Sequence, residues 1–126
     1  MFDRLYSGDL IVGENIVRSF GSGNQTLHVL RGLDVTVTAG QMVALYGPSG
    51  SGKTTLLNIL GALDRPNDGK VEILGKNILK MGERGRSKMR RKNIGFIFQT
   101  YSLVPTYTAM ENIDLGLRLP GYHVFE

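Results

Sequence analysis

The 126 residues include 15 Lys+Arg against 11 Asp+Glu, a net charge of +4, with 41% hydrophobic and 21% charged side chains. That balance is the usage of one globular domain or a piece of one, and it excludes wholesale disorder and a fibrous chain. Cysteine is absent, which excludes a disulfide framework, a thiolate metal site and a Cys nucleophile, while glycine, at 17 residues, stands well above its usual ~7% without a collagen period.

Asp3, Arg4 and Asp9 stand where a signal peptide needs an apolar run. The two longest uncharged stretches, 35–52 and 93–110, are each 18 residues and are broken by Gly, Pro, Ser, Thr or Gln, so neither reads as a membrane span. A soluble, intracellular chain is the expectation. Residues 10–20 are β-branched and apolar and predict a strand closed by the turn Gly21-Ser22-Gly23-Asn24. Residues 28–38 predict a second strand, with Leu33, Val35 and Val37 alternating against Asp34, Thr36 and Thr38, so that one face is buried. Ala39-Gly40 then leads into 41–46, a nearly continuous apolar run that predicts a strand buried on both faces. A loop over 47–52 opens a helix over 53–62, where Leu56, Leu57, Leu60 and Leu63 recur at helical spacing and 65–69 stops it. Further on, the pattern predicts a strand over 70–74, a short basic helix over 87–92 and a buried strand over 94–98. A loop over 99–108 and a helix over 109–119, ended by Pro120-Gly121, complete the series. The order is that of an α/β chain with an antiparallel part near its start.

Charge is uneven. Lys80, Arg84, Arg86, Lys88, Arg90, Arg91 and Lys92 with the single acid Glu83 make a segment of +6, leaving −2 elsewhere. A chain-wide nucleic-acid footprint is therefore absent. The segment reads first as a solvated helix face, and otherwise as a contact for acidic lipid headgroups or a partner. His28 and His123 are isolated and receive no role.

Gly47-Pro48-Ser49-Gly50-Ser51-Gly52-Lys53-Thr54 matches GxxxxGK[ST], the phosphate-binding loop, between an apolar run and a predicted helix. The pattern has a physical reason. Glycines let successive backbone N–H groups turn inward as an anion nest, and the helix start directs its positive dipole end at the same anion. Lys53 is placed to reach the β- and γ-phosphates, Thr54 to ligate Mg²⁺ and Thr55 to touch the α-phosphate. The bland alternative is a Gly/Ser-rich turn without a ligand.

With this loop, Gly61-Ala62-Leu63-Asp64-Arg65-Pro66, Asp68-Gly69-Lys70-Val71, Asn93-Ile94-Gly95-Phe96-Ile97-Phe98-Gln99, Leu103-Val104-Pro105 and Thr108-Ala109-Met110-Glu111-Asn112-Ile113 resemble the nucleotide-binding subunit of ABC transporters. The likeness covers about residues 10–120, and its wording is most similar to the lipoprotein-release and macrolide-export subgroup of MacB-type permeases. It implies a P-loop NTPase fold of the ABC type, here its N-terminal portion: an antiparallel β part plus part of a parallel core sheet. It further implies ATP and Mg²⁺ as ligands, with Lys53 and Gln99 catalytic. Gln99 takes the position of the glutamine that joins the Mg²⁺ shell and senses the γ-phosphate. Phe20 takes the place of the ring that stacks on adenine, keeping the stacking face of the commoner Tyr without its hydroxyl; a strand-end core phenylalanine is the alternative.

The implied partners are a MacB-type membrane permease, seated near the loop between Thr100 and Thr108, and a second ATP-binding subunit, with no nucleic acid. The implied location is peripheral, on the cytoplasmic side of the inner membrane. A full module of the family adds an LSGGQ-type signature, a strand ending in Asp-Glu and a switch histidine, none of which occurs in these residues; Gly21-Ser22-Gly23-Asn24-Gln25 is only superficially similar to the signature. Residues 1–126 therefore read as an incomplete cassette, a fragment or truncated product with an unplaced tail at 121–126, and 41–46 and 94–98 are expected to expose unpaired edges. Two other readings stay open: a non-hydrolytic nucleotide-binding fragment or regulatory remnant, and another P-loop enzyme such as a kinase, which the Gln99 context disfavours.

Overall fold

Alternating apolar residues draw the first third of the chain into a hairpin, in which β1 (Asp9–Phe20) pairs antiparallel with β2 (Leu27–Thr38). The computed structural model describes residues 8–21, 23–100 and 103–118. Asp3 and Arg4, Ser22 of the first turn, residues 101–102 of the later loop, the expected helix end at Leu119 with Pro120-Gly121, and the tail lie outside the described residues. On its other edge β1 pairs with β3 (Asp68–Ile73), which pairs with the two-residue β4 (Lys76–Asn77), giving an antiparallel sheet of order β2-β1-β3-β4. The alternation expected of β2 holds at Val35 and Val37, half-buried between exposed Asp34, Thr36 and Thr38, whereas Leu33 is exposed.

One of the excess glycines has its use here. Asn15 interrupts β1 at positive φ, and Gly69 of β3 faces it at φ +96, where a Cβ would stand 2.6 Å from the Glu14 carbonyl oxygen. Only glycine lets the two strands close over this bulge.

Helix α1 (Lys53–Leu60) lays Leu56, Ile59 and Leu60 against Ile16, Leu30, Val71 and Ile73 of the sheet, and Gly61 ends it by donating its N–H to the Leu57 carbonyl at 2.8 Å. The buried stripe thus runs through Ile59; Leu57 and Leu63, expected on that face, are exposed. Ile16, Ile59, Ile78 and Val71 are fully buried, each contributing about 1.5–3 kcal/mol of transfer free energy.

Helix α2 (Glu83–Asn93) is longer than the expected 87–92. Glu83 opens it, and its carboxylate accepts from Arg90 Nη2 at 2.8 Å and from Arg86 Nη2. These bonds, Arg90 first, hold the Glu83 carboxyl below the ordinary glutamate range. Arg86 and Met89 are buried, and Arg90 Nη1 donates to the Ala62 carbonyl at 2.6 Å. The solvated face is therefore only the outer one, where Arg84, Lys88, Arg91 and Lys92 are exposed.

Two expected strands do not form as strands. Residues 41–46 and 94–98 make no ladder, and Met42, Tyr46 and Ile97 are almost fully exposed rather than buried. β-Propensity describes how a side chain fits a pleated, half-buried surface, and it cannot supply the neighbouring backbone. The antiparallel part of the expected fold forms among the described residues; the parallel part does not. The expectation of unpaired edges at both runs holds, and Phe96 and Phe98 stack on each other, centroids 5.6 Å apart.

Helix α3 (Ala109–Arg118) is built on a capping box. Thr108 N–H donates to Glu111 Oε2 at 2.7 Å, and Glu111 N–H returns to Thr108 Oγ1 at 3.3 Å. The Thr108 backbone bond, then its hydroxyl, depress the Glu111 carboxyl below its ordinary value of 4.5. A depressed carboxylate gives stability that is present above the unfolded pKa and lost as pH falls through the folded one. The start of α3 is expected to fray on acidification below about pH 4.5, and Glu111→Gln to abolish that pH dependence. Amide exchange at 109–112 measured across the acid range checks both, and equal acid sensitivity in Glu111→Gln would refute them.

Candidate functional site

The turn that closes the β1–β2 hairpin brings Phe20 opposite Leu27, and the phosphate loop passes directly beneath. Gly52, the residue before α1, has φ +90, and a Cβ there would stand 3.0 Å from Val29 Cγ1 and 3.1 Å from Leu30 Cδ2. The loop backbone therefore rests on β2, which only glycine permits. No side chain caps α1 and no acid occupies its first turn, so the positive end of the helix dipole faces outward, open to an anion.

Lys53 folds back over the loop. Its Nζ donates to the carbonyls of Gly47 at 2.8 Å and Pro48 at 2.7 Å and to Ser51 Oγ at 3.3 Å. Gly47, Pro48 and Ser51 thus hold the ammonium from behind. Ser49, Gly50, Gly52, Lys53, Thr54 and Thr55 line a concavity of about 430 Å³, whose opposite wall is Phe20, Leu27 and Val29. An apolar wall facing a cationic, N–H-rich floor is a shape for a ligand with a flat apolar end and an anionic end.

The fold therefore brings Phe20 and the loop together. Gln99 is exposed at the end of the unpaired 94–98 run and is not among the residues lining the concavity. Leu27 and Val29 were not singled out from the sequence, although they share one face of β2 by their period of two. Arg18 was also missed, and it shares a strand face with Phe20 for the same reason. Its guanidinium carbon lies 4.3 Å from the Phe20 ring centroid. No helix among the described residues is long and apolar enough to cross a membrane.

A family model described as "ABC transporter" matches residues 30–124. The chain is 49% identical over 108 residues to the lipoprotein-releasing system ATP-binding protein LolD of Bacteroides fragilis, an alignment covering 86% of this chain and 48% of that protein. It is 45% identical over 106 residues to the macrolide export ATP-binding/permease protein MacB of Escherichia coli, covering 84% and 16%. Among solved structures, the dimeric ATP-binding cassette MJ0796, bound to ADP and Pi in a post-hydrolysis state, superposes with a TM-score of 0.83 at 34% identity over 92% of this chain and 50% of that one. The chain spans about half the length of the LolD proteins it matches. On the phosphate loop, the hairpin above it and these similarities, the chain belongs to the ABC transporter family, as part of its ATP-binding cassette.

Proposed function

We propose that this chain binds MgATP as part of the ATPase subunit of an ABC exporter of the lipoprotein-release or macrolide-export kind. The observation that carries the reading is the single concavity in which Phe20 faces the loop of Lys53, Thr54 and Thr55. The residues present fit the ligand. Phe20 is 42% exposed and offers a ring to a purine, and the loop offers N–H groups, the α1 dipole and one ammonium to the phosphates. The Thr54 hydroxyl is a hard oxygen donor on the exposed rim, suited to Mg²⁺, which takes few protein ligands and keeps phosphate and water oxygens around it. Lys53 would leave its carbonyl partners for the terminal phosphates, and Gln99 would complete the metal shell.

Such a subunit pairs with a second ATP-binding subunit and couples ATP binding and hydrolysis to export or lipoprotein release through a MacB-type permease, on the cytoplasmic side of the inner membrane. The permease contact is assigned to the loop ending at Thr108. This loop, with α3, walls an apolar hollow lined by Leu103, Val104, Pro105, Tyr107 and Ile113, and Asn112 pins it through Val104 N–H at 2.8 Å. Calorimetric titration of the chain with ATP, with and without magnesium, tests the reading. Wild type is expected to bind more tightly with magnesium, and Thr54→Ala to lose most of that difference while keeping its magnesium-free affinity. An undiminished magnesium effect in Thr54→Ala would remove Thr54 as a ligand, and no ATP binding by wild type would overturn the reading.

A further inference from the structure

We infer that Arg18, held by Asp64 and Asn67, is a positioning residue for the nucleotide base: it fixes the Phe20 ring as a one-sided stacking platform. This rests on the reading of the concavity as an ATP site and adds the residues that set its base end. Phe20 closes β1 at the surface, and unlike tyrosine it has no hydroxyl with which to anchor its ring. Arg18 supplies the anchor. Its guanidinium lies over one face of the ring, 4.3 Å from the centroid, and Arg18 does not line the concavity, whereas Phe20 does. One face is thus taken from behind and the ring turns its remaining surface to the ligand. A cation behind the ring also draws π-density away from the stacking side.

The guanidinium is itself fixed. Nε donates to Asp64 Oδ2 at 2.8 Å and Nη2 to Asp64 Oδ1 at 3.1 Å, a two-point grip that a lysine could not form. Asn67 Oδ1 accepts the Ser19 N–H at 2.7 Å and Arg18 Nη1 at 3.3 Å, and the Asn67 N–H donates to the Val17 carbonyl at 2.7 Å. Asp64 lies just beyond the end of α1, whose start carries Lys53 and Thr54. The base platform is therefore tied to the same rigid helix that presents the phosphate site, so the two ends of the concavity keep a fixed spacing. Holding the ring before the ligand arrives reduces the ordering cost of binding.

The test compares two ligands on the 126-residue chain by calorimetry: MgATP, and magnesium tripolyphosphate, which has the anionic end and no base. The preference for ATP is expected to fall about 3- to 10-fold in Arg18→Gln, with tripolyphosphate affinity unchanged. Asp64→Asn is expected to move the preference in the same direction by less, and in a Phe20→Leu background Arg18→Gln is expected to add nothing. Should Arg18→Gln fail to fold, Arg18→Lys keeps the charge beside Asp64 without the planar fork and carries the same comparison. Equal losses for both ligands, or an unchanged preference, would make Arg18 a tie between β1 and α1 only and overturn the inference while leaving the ATP site standing. Wild type binding neither ligand would overturn both.

Discussion

Lys53→Ala is expected to lower MgATP affinity by about 10²–10³-fold, the worth of one or two charge-assisted hydrogen bonds to phosphate. The variant lacks the positive charge aimed at the terminal phosphates; the Nζ bonds to Gly47 and Pro48, which Lys53 gives up on binding, keep the net loss below the full worth of the phosphate contacts. The fold should persist, because the partners of Nζ are loop carbonyls and a hydroxyl, whereas the core is made by Leu56, Ile59 and Leu60 on the inner face of the same helix. Calorimetry with MgATP, paired with circular dichroism to verify an unchanged fold, measures the effect. Wild-type affinity in a folded Lys53→Ala chain would refute the assignment of the loop.

What the sequence made legible was local. The phosphate loop is one contiguous run whose residue types are fixed by its chemistry, and the β1–β2 hairpin is announced by alternation and a glycine turn. The capping box at Thr108 and Glu111 is equally readable as T-x-x-E, although the expectation drew on the segment's helix and family resemblance and not on its cap. The start of α2 was missed for a different reason. Gly85 inside a helix costs about 1 kcal/mol against alanine, which points to a later start, while the clasp of Glu83 by Arg86 and Arg90 that offsets it lies within the helix at i,i+3 and i,i+7, one turn and two turns on. Likewise 41–46 and 94–98 have strand composition but find no partner among the described residues, and the curated LolD relatives carry about as much chain again. The approach of Phe20 to the loop could be placed from the family resemblance; its grip by Arg18 and Asp64 could not, because nothing in spacing alone joins β1 to the residues after α1.

Residues 1–126 alone are expected to hydrolyse ATP at a rate near background. On the proposed reading, the loop, Lys53 and Thr54 would supply binding and most of the charge neutralisation at the phosphates. Lowering the barrier takes groups that act only as water attacks: a carboxylate that orients the water, and further charge on the γ-phosphate supplied from a partner subunit. No run of four apolar residues followed by Asp-Glu occurs in this sequence, and no LSGGQ-type segment follows the loop. In P-loop enzymes one such missing group changes the rate by roughly 10³–10⁵-fold. The exposed apolar runs bear on the measurement. Met42, Val43, Ile97 and Phe98 present side chains that pair or cluster readily, so the assay needs freshly sized protein at low concentration. Steady phosphate release by 1–126 that vanishes in Lys53→Ala would refute the expectation, for it would require a water-orienting group within these residues. Gln99→Ala would then test whether Gln99, which the family resemblance places near the metal shell, is that group.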